Sequence, residues 1–339
     1  MSQRRLRVGL IGCGRIGRVH AENLSLRLPQ AQLCAVCDTT RASAEEVAGR
    51  WEIPQVTAEP EEIFSDAAIE AVLICSPTDT HADYIVAAAR AGKHVFCEKP
   101  IDHDLRRIDT ALEAVRNAGV KFQVGFNRRF DANFARVRRA VVSGEIGALR
   151  QIHITSRDPA PPPVSYIRSS GGLFLDMTIH DFDMARFLTG EEIAEVYTQA
   201  GVLVDPAIGE AGDVDTAVTL LRFRNGTLGS IDNSRQAAYG YDQRVEVLGS
   251  KGSVATANRF PNDAVISDGT SVRRDLPLRF FMDRYQESFV AELAAFVESV
   301  LEDRPPAVSG EDGRAAVMLA LAARKSHQEG RPVRVEEVG

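Results

Sequence analysis

Leu6-Arg7-Val8-Gly9-Leu10-Ile11-Gly12-Cys13-Gly14-Arg15-Ile16-Gly17 is the stretch on which the fold turns. A short β-rich apolar run hands over to G-x-G-x-x-G, and a helical pattern follows over residues 15–28. The first glycine permits the tight turn and the second lets a pyrophosphate come up to the backbone. The third lets helix and strand pack closely, and the helix N-terminus faces the anion. The motif alone is weak evidence, but its context is right on both sides. Asp38 closes the second apolar run about 20 residues after Gly17, where an acidic side chain meets ribose hydroxyls. A carboxylate there repels a 2′-phosphate, so NAD is expected over NADP, with Arg41 as a group able to soften that preference.

Working outward, residues 32–37, 71–75, 94–97 and 120–125 read as further buried strands, separated by helical patterns ending near Trp51 and over 82–91 and 104–118. Apolar strands alternating with helices mean βαβ units and a parallel sheet. After about Phe126 the pattern changes. A helix over 131–143 and a strand over 149–157 lead into a proline-rich loop at 159–163, and a helix over 173–188 follows Gly171-Gly172. Strands are then expected in succession at 194–200, 214–223, 227–234, 243–248 and 253–257, with Asn225-Gly226 as a two-residue hairpin signal and Asp268-Gly269 as another turn. Helices over 284–302 and 311–328 close the chain. The expected architecture is therefore α/β: a Rossmann doubly wound parallel sheet over 1–125, then an α+β domain with a large, mostly antiparallel open sheet over 126–339, its C-terminal helices packing back on the body.

The chain has 339 residues, enough for two cores, and 44% apolar with 26% charged residues is ordinary globular usage. A net charge of −7 draws the chain as a whole neither to nucleic acid nor to an anionic membrane. Arg128, Arg129, Arg136, Arg138 and Arg139 mostly form a solvated helix face at their spacing. The basic start, residues 1–7, lacks the apolar stretch and cleavage site of a secretory signal, and no run approaches the ~18 apolar residues of a membrane helix. Five cysteines, Cys13, Cys34, Cys37, Cys75 and Cys97, fall in or beside expected strands, which reads as reduced packed thiols in a reducing, cytoplasmic setting. Cys34 and Cys37 have redox-motif spacing, but a strand points them to opposite faces.

Three segments carry chemistry. Ser76-Pro77-Thr78-Asp79-Thr80-His81 follows the third expected strand and opens a helix; its hydroxyls suit the border of a diphosphate and nicotinamide riboside, or simply cap the helix. Glu98-Lys99-Pro100 ends the fourth, and ligands of an open α/β sheet sit outside the carboxyl ends of its strands. In Asp176-Met177-Thr178-Ile179-His180, helical period puts Asp176 and His180 on one face, joined by Asp183. A carboxylate beside an imidazole raises its basicity and suits proton transfer from a hydroxyl near neutral pH. A surface ion pair or two metal ligands would look the same, but no third ligand of zinc-site spacing is evident, so no metal is expected.

With Glu98-Lys99-Pro100, Asp176-x3-His180, Gly125-Phe126-Asn127-Arg128-Arg129 and the glycine turn in this order, the chain resembles the glucose–fructose oxidoreductase/inositol dehydrogenase (Gfo/Idh/MocA) family over nearly its whole length. Ser156-Arg157-Asp158-Pro159 and the run from Gly171 to Asp183 are most similar to inositol 2-dehydrogenases of that family. The resemblance implies NAD-dependent oxidation of a cyclic polyol, myo-inositol to an inosose, with another inositol isomer or an aldose as the alternative. By position it implies that Lys99 orients the hydroxyl and stabilises its charge, that His180 takes the proton, and that Asp176 supports it. It implies cofactor contacts from Gly12, Gly14, Arg15, Ile16, Gly17, Asp38, Ser76, Pro77, Thr78, His81, Glu98 and Lys99. Asn127, Arg128, Asp158 and Asp183 would bond the other ring hydroxyls, with Tyr239, Tyr241 and Tyr285 as weaker candidates for the pocket wall. Some inositol dehydrogenases carry methionine in place of Asn127, and histidine and asparagine in place of Ser156 and Asp158, which bears on the choice of polyol. The family also implies a homotetramer built through the open face of the second sheet. A non-catalytic NAD-binding regulator is the reading from another class; it has no need to keep Lys99, Asp176 and His180 together.

Overall fold

The computed structural model describes residues 4–339; Met1, Ser2 and Gln3 of the basic start lie outside the described residues. The chain forms two compact units, one made of the residues up to Phe130 together with Glu287–Ala315, the other of Asp131–Gln286 and Ala316–Gly339. The expected division at 125/126 is therefore interrupted: residues 287–315 return to the first unit instead of staying with the second.

In the first unit β1 (Leu6–Ile11), α1 (Arg15–Leu26), β2 (Ala31–Cys37), α2 (Arg41–Trp51), β3 (Gln55–Thr57), α3 (Pro60–Ser65), β4 (Ala71–Ile74), α4 (Thr78–Arg90), β5 (His94–Glu98), α5 (Leu105–Ala118) and β6 (Phe122–Gly125) follow in order. All strand pairs are parallel and the sheet order is β3-β2-β1-β4-β5-β6, the doubly wound dinucleotide-binding order. Leu6, Val8, Leu10, Val36, Leu73 and Phe96 are buried, and the returning helix Gln286–Leu301 adds Leu293, Phe296 and Val297 to the same core. The strands read as unbroken apolar runs because helices cover both faces. Strand β3 and helix α3 are absent from the five-strand expectation: β3 is a three-residue edge strand with two half-buried positions, too short to show a period.

The second unit contains α6 (Ala132–Val142), β7 (Leu149–Arg157), α7 (Val164–Ser169), α8 (Ile179–Thr189), β8 (Ile193–Gly201), β9 (Thr216–Phe223), β10 (Leu228–Ser234), β11 (Asp242–Gly249), β12 (Ser253–Thr256), the hairpin β13 (Val265–Ser267) and β14 (Val272–Arg274), and β15 (Val333–Arg334). The seven-stranded sheet runs β12-β11-β7-β10-β9-β8-β15; β7 and β10 are its parallel pair and the rest are antiparallel. Along β9, Ala217, Leu221 and Phe223 are buried while Val218, Leu220 and Arg222 are exposed, so one face is packed and the other open.

One expectation is corrected here and one refined. The Asn225-Gly226 turn is a three-residue loop, 224–226, closed by Phe223 and Thr227, with Gly226 at φ +89° supplying the left-handed residue. The helix over 173–188 forms without a break but is not regular throughout: a π-helical turn at Phe174–Thr178 runs directly into α8. Such turns insert a residue into the helical repeat and often sit at functional sites. Among the described residues no helix is long and apolar enough to cross a membrane. All five cysteines are free and buried.

Candidate active site

The candidate residues fall into two groups, one on each unit. On the first unit, the three glycines of the turn after β1 do what their spacing demands. Gly12 has φ +97°, and a Cβ there would lie 2.5 Å from the backbone of Cys75; a Cβ on Gly17 would lie 1.9 Å from the Gly12 carbonyl oxygen. Gly14 alone has open space where a side chain would be, so the backbone there can be approached by a diphosphate. Asp38, at the end of β2, accepts from the Cys13 N–H through Oδ2 and from the Thr40 N–H through Oδ1, both at 2.8 Å. Its carboxylate is thus fixed beside the turn, and each oxygen keeps a lone pair for a ribose hydroxyl. Arg41 pairs with Glu45 at 2.9 Å on the surface of α2. These residues fit a dinucleotide with a free 2′-hydroxyl. Cys13, inside the turn, is pushed up to about 12 by burial and by Asp38.

Exposed Arg15 and half-buried Ile16 open α1, and Thr78 opens α4, whose cap position is Pro77 without a side-chain cap. Ser76 and Thr80 share a hydrogen bond at 2.6 Å. His81 departs from expectation. It is buried, and its two ring nitrogens lie 2.8 Å from the carbonyl oxygens of Pro100 and Ser76. Burial pulls its pKa down. It braces the segment after β4 against the one after β5, the neutral ring donating its single N–H to one of these carbonyls.

Strand β5 ends in Glu98, with Lys99 next and half-buried. Glu98 Oε1 lies 2.7 Å from Nε2 of His20 on α1, and the opposite residue on β6 is Gly125, where a Cβ would come within 3.0 Å of Glu98 Oε2. The Glu98 carboxylate is held by this internal contact. Asn127 and Arg128 follow β6 in a single 3-10 turn and are buried.

On the second unit, Asp176 sits in the π-helical turn and His180 in the first turn of α8. Across residues 173–185 only these two side chains escape burial. Asp176 accepts from the Tyr166 hydroxyl through Oδ1 and from Arg235 Nη1 through Oδ2, both at 2.9 Å. Arg235 also reaches Asp158 at 3.6 Å. Only 2% exposed, its guanidinium loses hydration, but Asp176 and Asp158 outweigh that loss and raise its pKa. Asp213 secures the head of the turn by accepting from the Leu173 N–H at 3.0 Å. Gly172 makes this possible: it has φ +81°, and a Cβ there would meet Asp213 Oδ1 at 2.6 Å. Burial pushes Asp213 up.

Four further sequence candidates, Asp183, Tyr239, Tyr241 and Tyr285, also lie on this unit. Asp183, one helical turn beyond His180, is 1% exposed. The Tyr239 hydroxyl donates to Asp242 at 2.5 Å and accepts from Arg157 at 3.0 Å, an ion cluster at the end of β7 and start of β11. Tyr241 and Tyr285 are buried and pack edge to face on one another. Conversely, Arg235 and Tyr166 were missed. A lone arginine after a strand and a tyrosine in the short helix α7 carry no local signal; only the fold brings them to Asp176.

A glycine turn on a doubly wound sheet, a fixed acid at the end of β2, and a half-buried aspartate and histidine four residues apart in a second α+β unit define an NAD-binding oxidoreductase of two units. Residues 6–126 match the family model described as oxidoreductase family, NAD-binding Rossmann fold, and residues 134–255 match the Gfo/Idh/MocA C-terminal domain. The chain belongs to the Gfo/Idh/MocA oxidoreductase family. It is 50% identical over 333 residues to myo-inositol 2-dehydrogenase of Thermotoga maritima, covering 98% of this chain and 99% of that one. The crystal structure of a myo-inositol dehydrogenase from Corynebacterium glutamicum superposes with a TM-score of 0.92 at 40% identity, covering 97% and 98%. That of scyllo-inositol dehydrogenase from Lactobacillus casei, with bound NAD(H) and scyllo-inositol, gives 0.92 at 31%, covering 98% and 100%.

Proposed function

We propose that the chain is an NAD-dependent inositol 2-dehydrogenase that oxidises one ring hydroxyl of myo-inositol to the ketone, releasing NADH and a proton. The observation that carries this reading is the 50% identity with a myo-inositol 2-dehydrogenase, which runs through both units. The chain's own residues supply binding and proton handling. The glycine turn and Asp38 hold the dinucleotide. Lys99 orients the reacting hydroxyl and stabilises the charge that develops on its oxygen. His180 takes the hydroxyl proton, and Asp176, gripped by Arg235 and Tyr166, supports the imidazole. Bound nicotinamide supplies the hydride acceptor. Asn127, Arg128 and Asp158 read the remaining hydroxyls, because a site that pairs with each hydroxyl rejects analogues lacking one.

The first unit serves as the NAD-binding domain and the second as the substrate and oligomerisation domain. The open sheet face, with Val218, Leu220, Leu228 and Leu248 exposed, is the surface through which a homotetramer assembles. Five buried free thiols suit the cytoplasm. A panel of inositol isomers and aldoses, read by NADH absorbance, tests the assignment. Turnover on myo-inositol above all other polyols is expected; activity on glucose with none on inositols would transfer the assignment to an aldose, and no turnover on any would leave the regulator reading.

A further inference from the structure

Between β5 and the helix Gln286–Leu301 lies a group of titratable side chains that the reaction above does not use. Glu292 is 0% exposed, and neither carboxyl oxygen has a hydrogen-bond partner among the described residues. One ligand-type atom from each of His20, Glu98 and Glu292 lies within 4.8 Å of the other two. His20 is equally buried, packed edge-on against Phe96 and Phe289, and Glu98 keeps a sliver of exposure. Cys75 and Cys97 also face the group, both held as neutral thiols by burial and then by Glu98. Gln123 spends its Nε2 on the Glu292 backbone carbonyl at 2.8 Å rather than on the carboxyl. Among the described residues the charge that acts on Glu292 is that of Glu98, and two carboxylates this close cannot both stay ionised in an apolar core without a compensating cation.

We propose that Glu292 is a positioning residue for Lys99: as the neutral acid it donates to Glu98, completing a three-group clamp with His20 that fixes the end of β5. Burial, with Glu98 nearby, holds the Glu292 carboxyl well above the usual carboxylate range. His20 donates through Nε2 to one Glu98 oxygen, and Glu292 supplies the second donor. Lys99 follows directly on Glu98, so holding the Glu98 carboxyl holds the end of the strand from which Lys99 continues. Gly125 leaves room for the carboxyl that both donors grip. The positioning role rests on the reading of Lys99 as the group that holds the reacting oxygen; the protonation of Glu292 does not.

Infrared spectra of the holoenzyme at neutral pH test the clamp directly. A neutral carboxylic acid carbonyl stretch, lost in Glu292→Gln, is expected; its absence from the wild type, or its survival in the variant, overturns the assignment. Stoichiometric divalent metal in the purified enzyme that disappears in Glu292→Gln would also overturn it, since a cation would then be doing the proton's work. For positioning, the Gln amide can still donate to Glu98, so Glu292→Gln should keep most of the turnover. Glu292→Leu should lower kcat by about 10–100-fold with little change in NAD affinity. Equal kcat in wild type and Glu292→Leu overturns the positioning role, whereas unchanged turnover in Lys99→Met would strike the reading of Lys99 and leave the infrared result standing.

Discussion

Arg235 donates from Nη1 to Asp176 Oδ2 at 2.9 Å while its guanidinium is almost wholly buried. A buried charge survives only when paired, so this contact compensates the guanidinium and orients Asp176. Removing the cation raises the pKa of the carboxyl it held. Arg235→Met should therefore move the acid limb of the kcat/KM profile to higher pH. It should also destabilise the fold towards the low end of roughly 3–5 kcal/mol, because Asp176 and Asp158 keep some access to water. Arg235→Lys keeps the charge but not the fork, and should fall between the two. An acid limb that stays put in Arg235→Met would show that Asp176 owes nothing to Arg235.

Lys99→Met removes the ammonium with little change in side-chain length. Turnover on myo-inositol should fall by about 10²–10⁴-fold while NAD still binds, since the glycine turn and Asp38 are untouched. Fluorescence titration with NADH and initial rates of NADH formation separate the two effects. Turnover at the wild-type rate would remove Lys99 from the mechanism.

The sequence made the first unit legible because its signals are local: buried strands of four to seven residues, glycine stops, and a turn whose three glycines each have a separate steric reason. What it hid is what depends on distant partners. The π-helical turn at Asp176 leaves no mark on period counting, because Leu175, Ile179 and Phe182 pack inward in either geometry. Arg235 meets Asp176 across 59 positions of chain, and Glu98 meets His20 across 78. His81 was given to the cofactor by its position, yet the backbone carbonyls on either side had already claimed it.

Asp38 carries the cofactor preference. Its oxygens each accept one backbone N–H and retain capacity for a ribose hydroxyl, and its charge opposes a 2′-phosphate. The wild type should have the higher kcat/KM with NAD. Asp38→Asn removes the charge, and losing charged hydrogen bonds of roughly 1.5–3 kcal/mol should cut the NAD/NADP ratio by about 10–100-fold. Parallel assays with both cofactors decide it. A ratio unaffected by the substitution would place discrimination elsewhere.

The thiols should be inert in the folded enzyme. Burial lifts all five, Cys13 and Cys37 to about 12, and the reactive species is the thiolate, so at pH 8 almost none is present. Thiol titration should count none promptly in the native state and five in denaturant. Prompt labelling of Cys13 in native protein would mean that the glycine turn opens on its own.

Glu292 makes stability depend on pH in a direction opposite to that of an ordinary ion-paired acid. Unfolded, it titrates as a free glutamate near 4.5; folded, its pKa lies well above that. Between the two values the native chain holds one more proton than the unfolded chain, so this group's contribution is complete below the unfolded value and drains away as pH rises. The loss is about tenfold in the folding equilibrium per pH unit and stops once the folded pKa is passed. Gln has no proton to give up. Relative to the wild type, Glu292→Gln should therefore gain stability from about pH 5 upward until the folded pKa is passed, read as a growing gap between urea midpoints at constant ionic strength. A gap that does not grow with pH would mean that Glu292 is ionised in the fold.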